Sequence, residues 1–247
     1  MQIAVIGIGP GNPEQVTFEA VRSLNAADLV LIPRKGAEKA DLAELRREIC
    51  RRYLDNPATR IVEFDLPQRD ARPDYRGAVA DWHRAIAATY DALLDREAGP
   101  DSTVALLVWG DPSLYDSTLR ILALMKADFA LRVVPGITSL QALAARHAMP
   151  LNTVAGEVLI TTGRRLREAP PEADTVAVML DGDCAFRTLP AADWDIAWAA
   201  YLGMAAEIAV AGPLAEVGDR IRETRDAARA EHGWIMDTYV LRRREAG

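Results

Sequence analysis

Four short segments carry residue types that hold small ligands. GIGPGNP at 7–13 follows an apolar run, and its glycines permit tight turns and let a ligand approach main-chain N–H groups. In WGDPSLY at 109–115, Gly110 admits a close ligand and Asp111 can accept hydrogen bonds from hydroxyl or amino groups. VPGITS at 134–139 puts Thr138 and Ser139 at the start of a helix, where free N–H groups and the positive dipole end favour a carboxylate. MLDGD at 179–183 is an acidic turn after a strand; calcium loops need a longer series of alternating oxygen ligands, so no metal is expected there.

Each segment also has a plainer role open to it. Glycine-rich turns from strand to helix occur in any α/β fold. A dinucleotide fingerprint is disfavoured: Asn12 stands where the third glycine belongs, Pro10 and Pro13 lack N–H donors, and Asp28 opens the second strand whereas a ribose-binding acid closes it. Asp111 can be a helix cap with Pro112 at the first helical position, and Ser139 can be a cap as well.

Strands must present these segments. Apolar runs at 3–6, 28–32, 61–64, 104–108 and 131–134 alternate with helical patterns, which implies βαβ units and a parallel sheet. The glycine loop, Asp111 and Thr138 then lie at its carboxyl edge, where open α/β sheets put their ligands. A helix expected over 77–97 stacks Val79, Trp82, Ile86, Tyr90, Leu93 and Leu94 on one face as core. Residues 39–52 read as an amphipathic surface helix with no functional role. A helix over 139–147 ends before Met149-Pro150-Leu151-Asn152, and the junction is expected there, giving an N-terminal domain over 1–148 and a C-terminal domain over 149–247. In the latter, strands at 157–162, 175–179, 196–201, 208–211 and 234–241 accompany one long helix at 214–230, so a mixed sheet is expected.

Half of the 247 residues are hydrophobic and 26% are charged, which suits a packed core and not a disordered chain. A net charge of -7 disfavours nucleic acid as a partner, since that affinity comes from clustered Lys and Arg. Cys50 and Cys184 form no CxxC pair, which argues against a disulfide framework or zinc knuckle and for a reducing cytoplasm. The start lacks the basic segment and apolar core of a signal peptide, and no stretch nears the roughly 20 apolar residues of a membrane span, so no membrane partner is expected.

Together the segments resemble the tetrapyrrole (corrin/porphyrin) methylase family across nearly the whole chain. GIGPGNPEQVT at 7–17, GDPSLY at 110–115, VPGITS at 134–139 and AGPL at 211–214 agree in order and spacing. The resemblance implies an α/β fold with an N-terminal parallel-sheet domain and a C-terminal mixed-sheet domain that close on S-adenosylmethionine. Carried over position by position, it points to Pro10, Gly110, Asp111, Tyr115, Thr138, Ser139, Leu180 and Pro213 as cofactor-binding residues; Leu180 stands where methionine is often found. LVWGDPSLYDSTLRIL, QALAARHAMPLN, LITTGRRL, MLDGDCAFRTLP and HGWIMDTYVLRR are similar to the deacetylating members in aerobic cobalamin synthesis. That similarity implies methylation of carbon 1 of precorrin-5 with release of acetate, S-adenosylhomocysteine as the other product, and a cytoplasmic homodimer.

Such chemistry sets two tasks. Transfer from a sulfonium mainly needs the ring carbon held in line with the methyl group. Addition of water to an acetyl carbonyl asks for a base and a donor to the oxyanion. Asp111, Asp116 and His147 are the candidate bases, with Asp116 also readable as part of a helix start and His147 as a packed histidine at a helix end. A substrate rich in carboxylates calls for guanidinium forks, and Arg34, Lys35, Arg164 and Arg165, each near a glycine after a strand, are the substrate-binding candidates. The competing readings are another specificity in the family, including its ribosomal-RNA methylases, a regulatory module that only binds the cofactor, and a dehydrogenase.

Overall fold

The computed structural model describes residues 1–34, 40–70 and 74–244. By its internal contacts the chain divides into two compact units, Met1–Ile137 and Thr138–Gly247.

Five strands build the first unit: β1 (Gln2–Gly7), β2 (Leu29–Arg34), β3 (Arg60–Asp65), β4 (Thr103–Val108) and β5 (Ala130–Val134). They form one all-parallel sheet in the order β3-β2-β4-β1-β5. Alternate side chains of β1 feed two separate cores, as a sheet covered on both faces requires. Ile3 and Val5 pack with α3 (Tyr75–Glu97) and α4 (Thr118–Leu122), while Ala4 and Ile6 pack with α1 (Phe18–Asn25) and α2 (Ala40–Tyr53). The face expected on α3 is the one that Ile86, Tyr90, Leu93 and Leu94 bury. The helix suggested after Pro112 does not form there: residues 111–117 make turns, and α4 starts at Thr118.

The second unit contains α5 (Ser139–Arg146), β6 (Val158–Thr162), α6 (Gly163–Glu168), β7 (Thr175–Met179), β8 (Trp194–Ala200), β9 (Ile208–Pro213), α7 (Leu214–His232) and β10 (Asp237–Arg243). Its sheet runs β6-β7-β10-β8-β9, and only the β6–β7 pair is parallel. The mixed sheet and the single long helix match the expectation. The division between units falls one helix earlier than the Pro150 region suggests. Packing is the reason: α5 rests on β10 and β8, so it belongs with the second sheet although a proline follows it.

Candidate functional site

In the first unit, β1, β4 and β5 end side by side, and glycines let their exits meet. A Cβ on Gly7 would stand 2.6 Å from the Gly136 nitrogen and 2.9 Å from the Gly110 carbonyl oxygen, and one on Gly136 would overlap that same oxygen. Gly9 and Gly110 exchange main-chain hydrogen bonds, with Gly9 N–H donating to Gly110 O at 3.2 Å and Gly110 N–H to Gly9 O at 2.8 Å. The GIGPGNP loop therefore folds back onto the WGDP loop. It does not launch a helix at a ligand: Asn12 caps a short 3-10 turn through the Glu14 N–H, and α1 begins only after Thr17. Asp28 accepts a hydrogen bond from Thr103 N–H at the start of β4, at the far end of the strands from these glycines, which removes the remaining dinucleotide feature.

Asp111 fastens the junction. Its Oδ2 accepts from Gly136 N–H at 2.8 Å, and its Oδ1 accepts from Ser113 N–H at 2.8 Å and from the Ser113 hydroxyl. Burial opposes the charge, but the hydrogen bonds from the Ser113 hydroxyl, Gly136 N–H and Ser113 N–H outweigh it and hold the carboxyl below its ordinary pKa. Asp111 is thus a brace between loops, neither the helix cap open to it in sequence nor a group with the free, basic oxygen a general base needs. Beside it Gly110 has φ +69°, and the space where its Cβ would be is empty. Tyr115 also has a left-handed backbone, φ +51°, and exposes its ring.

Thr138 and Ser139 open the second unit, and they divide the work differently from the sequence expectation. Thr138 caps α5: its hydroxyl accepts from Leu140 N–H at 3.2 Å, while its own N–H donates to Gln141 Oε1 at 3.2 Å, a reciprocal capping box. Ser139 is not the cap. Its Oγ is buried and has no hydrogen-bond partner among the described residues. Leu180, after β7, has φ +53° and is 67% exposed. Pro213 ends β9 at the N-cap position of α7, with no side-chain cap on that helix. Left-handed backbone at non-glycine residues costs about 1–3 kcal/mol and persists where the surroundings impose it, often at ligand sites.

The other candidates lie as follows. His147 ends α5 with Nε2 3.2 Å from the Trp198 carbonyl oxygen; a carbonyl only accepts, so Nε2 carries the proton and the ring is a packing group. Arg34 pairs with Asp65 at 2.9 Å and Arg165 with Glu168 at 3.0 Å, while Arg164 is exposed on α6 and Lys35 lies outside the described residues. Asp116 lines a cavity of about 210 Å³ in the first unit together with Arg46, Trp82, Tyr90 and Tyr115. Sequence reading passed over Arg46, in the helix given no role. Its signal was there: Ala43, Arg46, Ile49 and Cys50 follow helical spacing on one face, and all four are buried. Among the described residues no group of His, Cys, Asp or Glu could hold a metal, and no helix is long and apolar enough to cross a membrane.

A parallel-sheet unit with ligand-type loops at its carboxyl edge, followed by a mixed-sheet unit, defines the class. The family model of the tetrapyrrole (corrin/porphyrin) methylases matches residues 2–218, and the chain belongs to that family. A precorrin-6A synthase (deacetylating) from Sinorhizobium sp. is 54% identical over 98% of this chain and 95% of its own length. The crystal structure of a cobalamin synthesis related protein (CobF) from Corynebacterium diphtheriae superposes with TM-score 0.84 and 38% identity, over 98% of both chains. A uroporphyrin-III C-methyl transferase from Thermus thermophilus, complexed with S-adenyl homocysteine, shares the fold with TM-score 0.62 at 20% identity, over 98% of this chain and 92% of its own.

Proposed function

We propose that this chain is an S-adenosylmethionine-dependent C-methyltransferase of aerobic cobalamin synthesis. It methylates carbon 1 of precorrin-5 and releases the acetyl group there as acetate, giving precorrin-6A and S-adenosylhomocysteine. The observation that carries this reading is the likeness to a deacetylating precorrin-6A synthase, 54% identical along nearly the full length of both chains.

The residues present fit the cofactor. The open space at Gly110 admits a ligand against main chain, the unpartnered Ser139 hydroxyl offers a buried donor and acceptor, and the exposed Tyr115 and Leu180 offer apolar surface. Pro10, Gly110, Asp111, Tyr115, Thr138, Ser139, Leu180 and Pro213 would hold it, with Asp111 and Thr138 acting as braces because their side-chain oxygens are already engaged. When bound, it supplies a methyl group already activated by the sulfonium. The chain's own contribution to that step is to hold the ring carbon in line.

Arg34, Lys35, Arg164 and Arg165 would bind substrate carboxylates. The exposed Arg34–Asp65 and Arg165–Glu168 pairs do not stand in the way, since such pairs contribute about 0–1 kcal/mol and exchange readily for a bidentate carboxylate. The protein would work in a reducing cytoplasm, which the free, buried Cys50 and Cys184 suit, burial pushing both thiols up to about 11.

Incubation with precorrin-5 and methyl-labelled S-adenosylmethionine tests the reading: labelled corrin and free acetate should form together. Labelled product without acetate would remove the deacetylating assignment. Calorimetric binding of NAD with no response to S-adenosylhomocysteine would remove the methyltransferase.

A further inference from the structure

We infer that the cavity of the first unit is where the acetyl group is hydrolysed, with Asp116 as the general base and the Arg46 guanidinium as the countercharge to the oxyanion. This rests on the deacetylating function proposed above.

The cavity lies at the carboxyl-end half of β2 and β4, where their pairing has stopped at Leu31 and Leu106. Arg46 crosses to this place from α2, and its Nε donates to the Leu107 carbonyl at 2.8 Å. The residue is only 9% exposed. Burial disfavours its charge, with Tyr90 and Asp116 opposing that loss, so a developing negative charge in the cavity would be strongly attracted.

Asp116 differs from Asp111 in what its carboxylate is doing. One oxygen, Oδ1, accepts from Thr118 N–H at 2.6 Å, and the other makes no hydrogen bond among the described residues. That leaves a half-buried carboxylate, fixed in orientation, with one oxygen open to take a proton. Arg120 of α4 donates to the Asp116 main-chain carbonyl at 2.5 Å, and His83, buried on α3, stands near enough to feel the Asp116 charge. Apolar walls from Ile86, Leu106, Val108 and Ile121 suit the acetyl methyl. A water needs roughly 10–15 Å³ of such space, so about 210 Å³ holds an acetyl group and the attacking water together.

The step balances with water as co-reactant. Asp116 takes one proton from water as its oxygen bonds to the acetyl carbon, and the carbonyl electron pair moves onto oxygen beside Arg46. When that pair returns, the bond between ring carbon 1 and the acetyl carbon breaks, and its electrons stay on the ring. Acetic acid leaves and ionises to acetate, and ring carbon 1 uses the retained pair to take the methyl group of the sulfonium donor.

Asp116→Asn and Arg46→Met test the assignment, with acetate release and methyl transfer measured on precorrin-5 and S-adenosylhomocysteine affinity measured by calorimetry. Asp116→Asn should slow acetate release by about 10²–10⁴-fold, and Arg46→Met by about 10²–10³-fold. Methyl transfer should fall in parallel, and S-adenosylhomocysteine affinity should stay at the wild-type value. Arg46→Lys, which keeps the charge, should recover part of the rate and replaces Arg46→Met if that variant does not fold. Wild-type acetate release from Asp116→Asn, or from an Arg46→Met protein that binds S-adenosylhomocysteine normally, overturns the inference and leaves the proposed function standing. A wild-type protein that releases no acetate overturns the proposed function instead.

Discussion

Two aspartates follow core strands, Asp111 after β4 and Asp181 after β7, and they are braced in different ways. Asp181 is closed in by side chains as well as main chain: Tyr239 donates to its Oδ2 at 2.7 Å, Ala185 N–H at 2.6 Å, and Asp183 N–H reaches Oδ1 at 3.1 Å. Arg225 donates to its carbonyl at 2.8 Å and pairs with the buried Asp237 at 3.0 Å, so the turn that resembled a metal loop is a structural knot. Asp111 is held by two N–H groups and one serine hydroxyl, and open space remains next to it at Gly110. Both carboxylates accept from two N–H groups and one hydroxyl, and what separates them is the reach of the hydroxyl: Ser113 lies in Asp111's own turn, whereas Tyr239 comes from β10 and ties the Asp181 turn into the buried sheet. Within the second unit, the hydrogen bonds at Asp181 hold the backbone next to Leu180, which has φ +53° and is 67% exposed.

The contrast breaks most sharply at Asp181→Ala. Loss of that carboxylate strands the Tyr239 hydroxyl and the Ala185 N–H in the core, and urea denaturation should show a loss of about 3–5 kcal/mol. Next comes Gly136→Ala, whose Cβ would overlap the Gly110 carbonyl and force the exits of β4 and β5 apart. A loss of about 1–3 kcal/mol is expected, accompanied by loss of S-adenosylhomocysteine binding in calorimetry; intact binding would show that the junction does not shape the cofactor site.

Gly110→Ala sharpens the comparison from the other side. The added methyl meets no atom within 4 Å, so only the left-handed φ is penalised, at about 1–2 kcal/mol. The same methyl intrudes on the proposed ligand space, and S-adenosylhomocysteine affinity should fall by more than the stability loss accounts for. The smallest effect is the pH dependence of Asp111. Its folded pKa lies below the unfolded value of about 3.9, so its contribution to stability is complete above that value and is lost as pH falls through the folded pKa. Urea midpoints of wild type and Asp111→Asn should therefore converge in acid, and a constant gap would mean that the carboxylate charge is not what braces the loops.

Strands and long helices were legible because a strand buried on both faces reads as a short continuous apolar run and a packed helix repeats its apolar residues every 3.6: β7 and α3 occur where such a run and such spacing put them. Local chemistry misled in three places. Pro112 suggested a helix start that the main-chain turn at 111–117 replaces, Ser139 suggested a cap that Thr138 provides, and Pro150 suggested a boundary that the packing of α5 moves to 137/138. In each case more than one local structure suits the same few residues, and contacts distant in sequence select among them.

The sequence by itself determined the two sheets, the glycine-bearing loops at strand ends and the family, because these depend on residue type and spacing along the chain. Tertiary structure alone decided that Asp111 is a brace, that Asp181 is a knot, that His147 is a packing group and that Arg46 reaches a cavity. A carboxylate, imidazole or guanidinium has the same composition whatever its partners, and its chemistry follows from which donors, acceptors and empty space the fold sets around it.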